Sequence, residues 1–164
     1  MVGAGGHAGA VVLSPVTADL HPAVLSLAPR QEQEVFSGRA NQTLPAADAD
    51  PQRHPVTVLD DDGRPVGFFV LDTTHDLLLR AFFVDAAHQR RGHARRALEA
   101  LPAYARRHFP AARSITLTVN VRNVEAYGAY TAGGFADGGE LHLGGPAGPQ
   151  HVLRLPLGDH DDGP

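Results

Sequence analysis

Six residues, Gln89-Arg90-Arg91-Gly92-His93-Ala94, lie between an apolar run (Leu77 to Val84) and a long stretch with helical periodicity. Their types suit the capture of an anion. A helix N-terminus presents backbone N–H groups that have no partner within the helix, and aligned peptide dipoles add roughly half a positive charge there. Gly92 has no Cβ to hold a phosphate away from the backbone. Arg90, Arg91, Arg95 and Arg96 gather positive charge at the same place in an otherwise acidic chain. Taken alone, these residues fit a helix start with a solvated basic face at least as well, because one fixed glycine is a weak pattern.

Other chemical signals are weaker. Gly3 to Ala8, GAGGHA, has the spacing of a dinucleotide fingerprint but not its setting, which requires a strand before and a helix after. Asp60, Asp61 and Asp62 lack the spaced ligands of a calcium loop and read as a solvated turn. The His and Asp residues of the final GDHDDGP have no second cluster with which to complete a metal site, so no metal is expected. Cysteine is absent, which excludes a thiol nucleophile, a disulfide and a cysteine metal site.

The elements that must position the basic turn follow from periodicity. A short strand from Val11 precedes a helix, with Thr17 as its N-cap and Leu20, Val24 and Leu27 on one face. A second short helix covers Gln31 to Phe36, and Gly38 to His54 reads as a loop rich in Ala, Asp and Pro. His54 to Asp72 reads as a hairpin around Asp-Asp-Asp-Gly. Leu77 to Val84 has the apolar character of a central strand. After the basic turn, Ala94, Leu98, Leu101 and Ala105 mark an amphipathic helix, with a kink or break expected at Pro102. Ser114 to Asn120 is rich in β-branched residues, which makes strand, helix and strand a right-handed crossover between parallel neighbours. A short helix, a strand from Phe135, a Gly-Pro loop and a last strand from Gln150 complete the order.

Composition sets the class. With 164 residues, 43 % hydrophobic and 20 % charged, the chain is expected to form one domain over residues 11–157, with disordered tails at 1–10 and 158–164. The net charge of −4 argues against nucleic-acid binding. No stretch approaches the length of a membrane span and no secretory signal is evident, so a cytoplasmic location without membrane attachment is expected. All 14 basic residues are arginine, which coding bias explains better than function.

The downstream sequence adds to the basic turn. Asn123, Ala126, Tyr130, Gly134 and Phe135 stand at the spacing N-x2-A-x3-Y-x3-G-F. Together with Phe82-Phe83-Val84, the Q-x-x-G-x-A turn and a β-rich strand ending in Asn120, this set resembles the GNAT superfamily of acyl-CoA-dependent N-acyltransferases. The likeness covers Leu79 to Phe135 well and the first 50 residues only loosely. It implies an α/β (mixed α+β) fold: a mixed, largely antiparallel sheet of about seven strands, splayed between the fourth and fifth and flanked by helices. It also implies acetyl-CoA as acyl donor. Phe82, Phe83 and Val84 would then offer strand backbone to the pantetheine arm, and Asn123 would bond the arm further along. Gln89, Arg90, Arg91, Gly92, His93, Ala94 and Arg95 would wrap the pyrophosphate.

The chemistry so implied is direct attack of an amine on the thioester. Tyr130 matches the family's general acid, since a phenol with pKa near 10 stays protonated at neutral pH; a packed tyrosine is the alternative. Tyr127 reads as packing or substrate lining. The Val84 N–H is a candidate to polarise the carbonyl. The base is open. Some relatives carry a carboxylate five residues before the motif asparagine, but Thr118 stands there. Asp72, His75 or His151 acting through water, or an amine that arrives neutral, are the alternatives. His93 replaces a common aliphatic residue, and Gly128-Ala129 replace bulkier ones and would leave space near the thioester.

A small-molecule amine is the expected acceptor, bordered by residues 38–54 and 144–149, with Glu32, Glu34 and Asp48 as candidate attractors of a cation. Family members often pair through C-terminal strands, so the resemblance allows a homodimer, and the sequence itself leaves the oligomeric state open. Two other functions compete: a non-catalytic acyl-CoA-binding module, and an α/β domain whose glycine turn binds some other anion.

Overall fold

The computed structural model describes residues 10–158. The two tails read as disordered lie, apart from Ala10 and Gly158, outside the described residues, as does the GAGGHA stretch. Seven strands form one sheet in the order β1-β2-β3-β4-β5-β7-β6. They are β1 (Val12–Pro15), β2 (Arg53–Leu59), β3 (Pro65–Asp72), β4 (Leu77–Val84), β5 (Ser114–Asn120), β6 (Ala136–His142) and β7 (Gln150–Pro156). All neighbours are antiparallel except β4 and β5. The helices are α1 (His21–Leu25), α2 (Glu34–Ser37), α3 (Ala40–Asp48), α4 (His93–His108) and α5 (Val124–Ala132). The sheet and its flanking helices are the architecture that the sequence implies.

Helices cover the sheet on both faces. Leu98, Leu101 and Ala105 of α4 pack with Leu71, Leu79, Ile115 and Leu117 in the larger core. Val24, Leu27, Ala40, Leu44 and Ala47 close a second core on Phe68, Val70 and Phe83. Strand alternation divides β4 between the two: Phe82 packs toward the first core and Phe83 sits in the second.

Three local expectations need correction. Residues 38–54 contain α3, whose buried Ala40, Leu44 and Ala47 follow a helical period that Pro45 and the aspartates obscure. Thr17 does not cap α1. Its hydroxyl donates to Asp19 (2.5 Å), and the helix starts at His21 with Pro22 in the first turn, where a missing N–H costs nothing. Pro102 does not break α4, which runs through it for 16 residues. One lost hydrogen bond is offset by the burial of Leu98, Leu101 and Ala105 around it.

Burial of Tyr104 on α4 pushes its phenol pKa up to about 12. The unfolded chain ionises near the ordinary value of 10.0, so Tyr104 contributes its full stability below that pH and loses it as pH rises toward 12. Between about pH 9 and about pH 11 the urea midpoint should fall, and Tyr104→Phe should lessen the fall; equal slopes in both proteins would contradict the assignment.

Candidate active site

Strands β4 and β5 pair only at Leu77↔Ile115 and Leu78↔Thr116. Beyond these rungs they part, and a cleft of about 860 Å³ opens between Leu79–Val84 on one side and Thr118–Asn120 on the other. A bulge in β4 helps to part them. Phe68 pairs with Phe83 but Val70 with Arg80, so one residue of β3 faces two of β4, and Ala81 takes a left-handed φ of 60°. The sequence places Phe82, Phe83 and Val84 on this strand, and all three line the cleft.

The basic turn closes one end. Its left-handed residues are Arg90 (φ 66°) and Gly92 (φ 81°), and Gly92 is the N-cap of α4 without a side-chain cap. Arg96 N–H donates to Gly92 C=O (3.0 Å) and starts the helical ladder. The N–H groups of His93, Ala94 and Arg95 therefore precede the ladder. Arg90, Gly92, His93, Ala94 and Arg95 line the cleft; Arg91 does not, although its carbonyl accepts from Arg96 Nη1 (3.0 Å). The space left by the missing Cβ of Gly92 is filled by the Arg96 guanidinium, since a Cβ there would lie 2.1 Å from Nη1. Glycine is needed at 92 for its backbone angle and for that arginine, and not only to admit a phosphate.

Gln89 and Asn123 also line the cleft, and both side chains already have protein partners. Gln89 Nε2 donates to Val84 C=O (2.8 Å) and to Gln33 Oε1 (2.9 Å), which ties the turn to the end of β4 and to the 3₁₀ turn before α2. Asn123 Oδ1 caps α5 by accepting from Ala126 N–H (3.4 Å).

Tyr130 lies at the bottom of the cleft, 8 % exposed, with its ring 6.1 Å from Phe82 and 5.8 Å from Phe135. Burial raises its phenol well above the usual range. Tyr127 does not line the cleft. Its hydroxyl donates to Asp137 (2.8 Å), and its ring lies 4.6 Å from that of His151.

None of the sequence-derived base candidates lines the cleft. Burial pushes the Asp72 carboxyl up, but hydrogen bonds from Thr74 and the charges of Arg80 and Arg53 outweigh it and hold the group below the ordinary carboxylate value. His151 faces Asp137 (3.6 Å), and His75 is exposed elsewhere. Glu32, Glu34 and Asp48 pair with Arg30, Arg39 and His21 and also lie outside the cleft. Residues 38–54 do not border it either. Gln33, Val35, Phe36 and Ser37 do so instead, opposite Pro146 and Ala147 of the expected 144–149 loop. The carboxylates that line the cleft are Glu125 and Glu140, which sequence reasoning missed. Glu125 was legible only as a helix-surface residue, and Glu140 sits behind two glycines that blur strand alternation.

His93, at the first helical position, is 6 % exposed, and its Nδ1 has no partner among the described residues. Burial, with the nearby His88 charge and the smaller effects of Arg91 and Arg96, lowers its pKa below the ordinary 6.5 against the opposing pull of Asp60. The unfolded chain takes up this proton first, so stability is intact above 6.5 and falls as pH drops below it. The melting temperature of His93→Leu should therefore fall less between about pH 7 and about pH 5 than that of the parent; parallel declines would contradict the buried neutral imidazole.

Comparison with known proteins supports the geometry. The profile of the Acetyltransferase (GNAT) family matches residues 21–135. An uncharacterized N-acetyltransferase of Bacillus subtilis (strain 168), YbbJ, is 32 % identical over 144 residues, covering 81 % of this chain and 89 % of its own. Spermidine N-acetyltransferase from Vibrio cholerae, solved with CoA and spermine, shares the fold at TM-score 0.70 and 16 % identity, covering 90 % of this chain and 95 % of its own. The ribosomal-protein-S18-alanine N-acetyltransferase from Escherichia coli does so at TM-score 0.67 and 17 % identity, covering 94 % and 98 %. The chain belongs to the Acetyltransferase (GNAT) family and is an N-acetyltransferase, with acetyl-CoA as the family's acyl donor.

Proposed function

We propose that the chain transfers the acetyl group of acetyl-CoA to a primary amine of a small molecule, by direct attack, in the cytoplasm. The observation that carries this reading is the opening between β4 and β5, with a cationic helix start at one end and a buried phenol at its base. Strand N–H and C=O groups beyond Leu78 and Thr116 are left without a partner strand across the opening, and buried backbone polar groups require partners. A ligand arm with its own amides meets that requirement along Phe82, Phe83 and Val84, where the Val84 C=O already accepts from Gln89. The N–H groups of His93, Ala94 and Arg95, with the Arg90 and Arg95 guanidinium groups, suit a diphosphate. Asn123 retains its Nδ2 hydrogens for the arm after Oδ1 has capped α5.

When bound, acetyl-CoA supplies an acyl group already activated as a thioester. Tyr130 keeps its proton at all pH values near neutrality, because burial disfavours the phenolate. It acts as a hydrogen-bond donor toward the departing sulfur, from a ring held between those of Phe82 and Phe135. No carboxylate lies at position 118, where Thr118 is exposed on the cleft wall. The acceptor therefore sheds its proton to solvent before attack. A non-catalytic binding module would have no use for an unpartnered phenol in this position.

Two variants test the assignment. Tyr130→Phe should lower kcat by roughly tenfold or more and leave the Kd for acetyl-CoA unchanged in calorimetric titration; unaltered turnover would remove the donor role. Gly92→Val places a β-branched residue at φ 81° against Arg96. It should weaken acetyl-CoA binding by roughly tenfold with little change in kcat, and unchanged affinity would exclude the turn as the diphosphate site.

A further inference from the structure

The wall that an acceptor meets is built from β5, β7 and β6, and strand register decides which side chains it shows. Thr118 stands opposite Val152, and Gln150 stands between Asn120 and His142. Thr118, Val152, Gln150 and His142 line the cleft. Glu140 precedes His142 by two residues and lines the same cleft; continuing the register of His142↔Gln150 and Leu141↔His151 by one step sets it beside Val152, in the row of Thr118.

A regular β6 would not reach this register. From Asp137↔Leu153 to Leu141↔His151 it advances four residues (141 − 137) while β7 advances two (153 − 151). Gly138 and Gly139 take up the surplus, Gly139 at φ 88°. Asp137 pins the bulge: its Oδ1 accepts from Gly139 N–H (2.8 Å), and its Oδ2 accepts from the Tyr127 hydroxyl and faces His151 Nδ1 at 3.6 Å. A bulge of this kind re-aims the side chain that follows it, which here is Glu140. The Glu140 carboxylate has no hydrogen bond or ion pair among the described residues, whereas the other cleft carboxylate, Glu125, lies 3.3 Å from Arg30.

We propose that Glu140 binds a second ammonium group of the acceptor, so that the enzyme selects amines carrying a positive charge besides the nitrogen that reacts. This rests on the reading of the cleft as an amine acetyltransferase site. The reacting nitrogen must be neutral to attack, so it draws nothing from a carboxylate. A monoamine in reactive form is uncharged, but a diamine keeps one ammonium. Two strand spacings separate Thr118 from Glu140, roughly 10 Å, so the second charge must stand several bonds from the first.

The test compares cadaverine, pentylamine and ethylenediamine as acceptors for the full chain and for Glu140→Gln, with acetyl-CoA affinity measured alongside. Glu140→Gln should raise KM for cadaverine about fivefold, the scale of an ion pair on an open wall, with kcat and acetyl-CoA affinity unchanged. Pentylamine and ethylenediamine should be unaffected, and Glu140→Asp should recover part of the loss. Equal KM for cadaverine in parent and variant, or one common loss for all three amines, overturns the role of Glu140 while leaving the acetyltransferase reading intact. A parent enzyme that acetylates none of the three overturns both.

Discussion

The two rungs that join β4 to β5 are the constraint on which the rest depends. A sheet held by full ladders has no interior opening, and a sheet with none would separate into two. Two paired positions at the start of the strands hold the halves together, and the Ala81 bulge bends β4 away over the remaining length. The parting is stabilised from both sides. Phe82 and Tyr130 fill the base from the α4–α5 face, and Phe83 anchors the other side of β4 in the core made by α1 and α3. The cleft is therefore part of the folded topology, as expected for a site largely formed before its ligand arrives.

Charge is divided along the cleft. Arginines and free N–H groups gather at the start of α4, and the carboxylates Glu125 and Glu140 stand among the lining residues of α5 and β6. A chain of net charge −4 thus carries a cationic end on its cleft without being basic overall. Arg30 links the segment before α2 to α5 through Glu125, and Arg122 lies over the Phe36 ring while donating to Ala147 C=O (2.8 Å). These contacts bring together, at one mouth, elements far apart in sequence.

Much of this was legible in the residues, for identifiable reasons. Leu77 to Val84 and Ser114 to Asn120 carry strand signals strong enough to fix both ends of each strand. The glycine of the basic turn marks the start of α4, whereas the placement of Tyr130 came with the family likeness that the Asn123–Phe135 spacing carries. Where a local signal pointed the wrong way, burial or a competing local signal decided. Pro45 and Pro102 sit inside helices because their neighbours are buried, and Thr17 loses its cap to a proline start. The far wall of the cleft was illegible for another reason. It is built from β5, β7 and β6, and only the register, including the Gly138–Gly139 bulge, reveals which of their polar groups face inward. The carboxylates favoured from sequence turned out to be engaged with nearby cations.

Gln89 holds Val84 and Gln33 through one carboxamide nitrogen. The two hydrogens of one amide nitrogen point in fixed directions within the amide plane, so this pair of bonds sets the strand end and the segment leading into α2 at a defined separation. Gln89 is thus a strut that joins three separate parts of one cleft rim: the basic turn, the end of β4 and the 3₁₀ turn before α2.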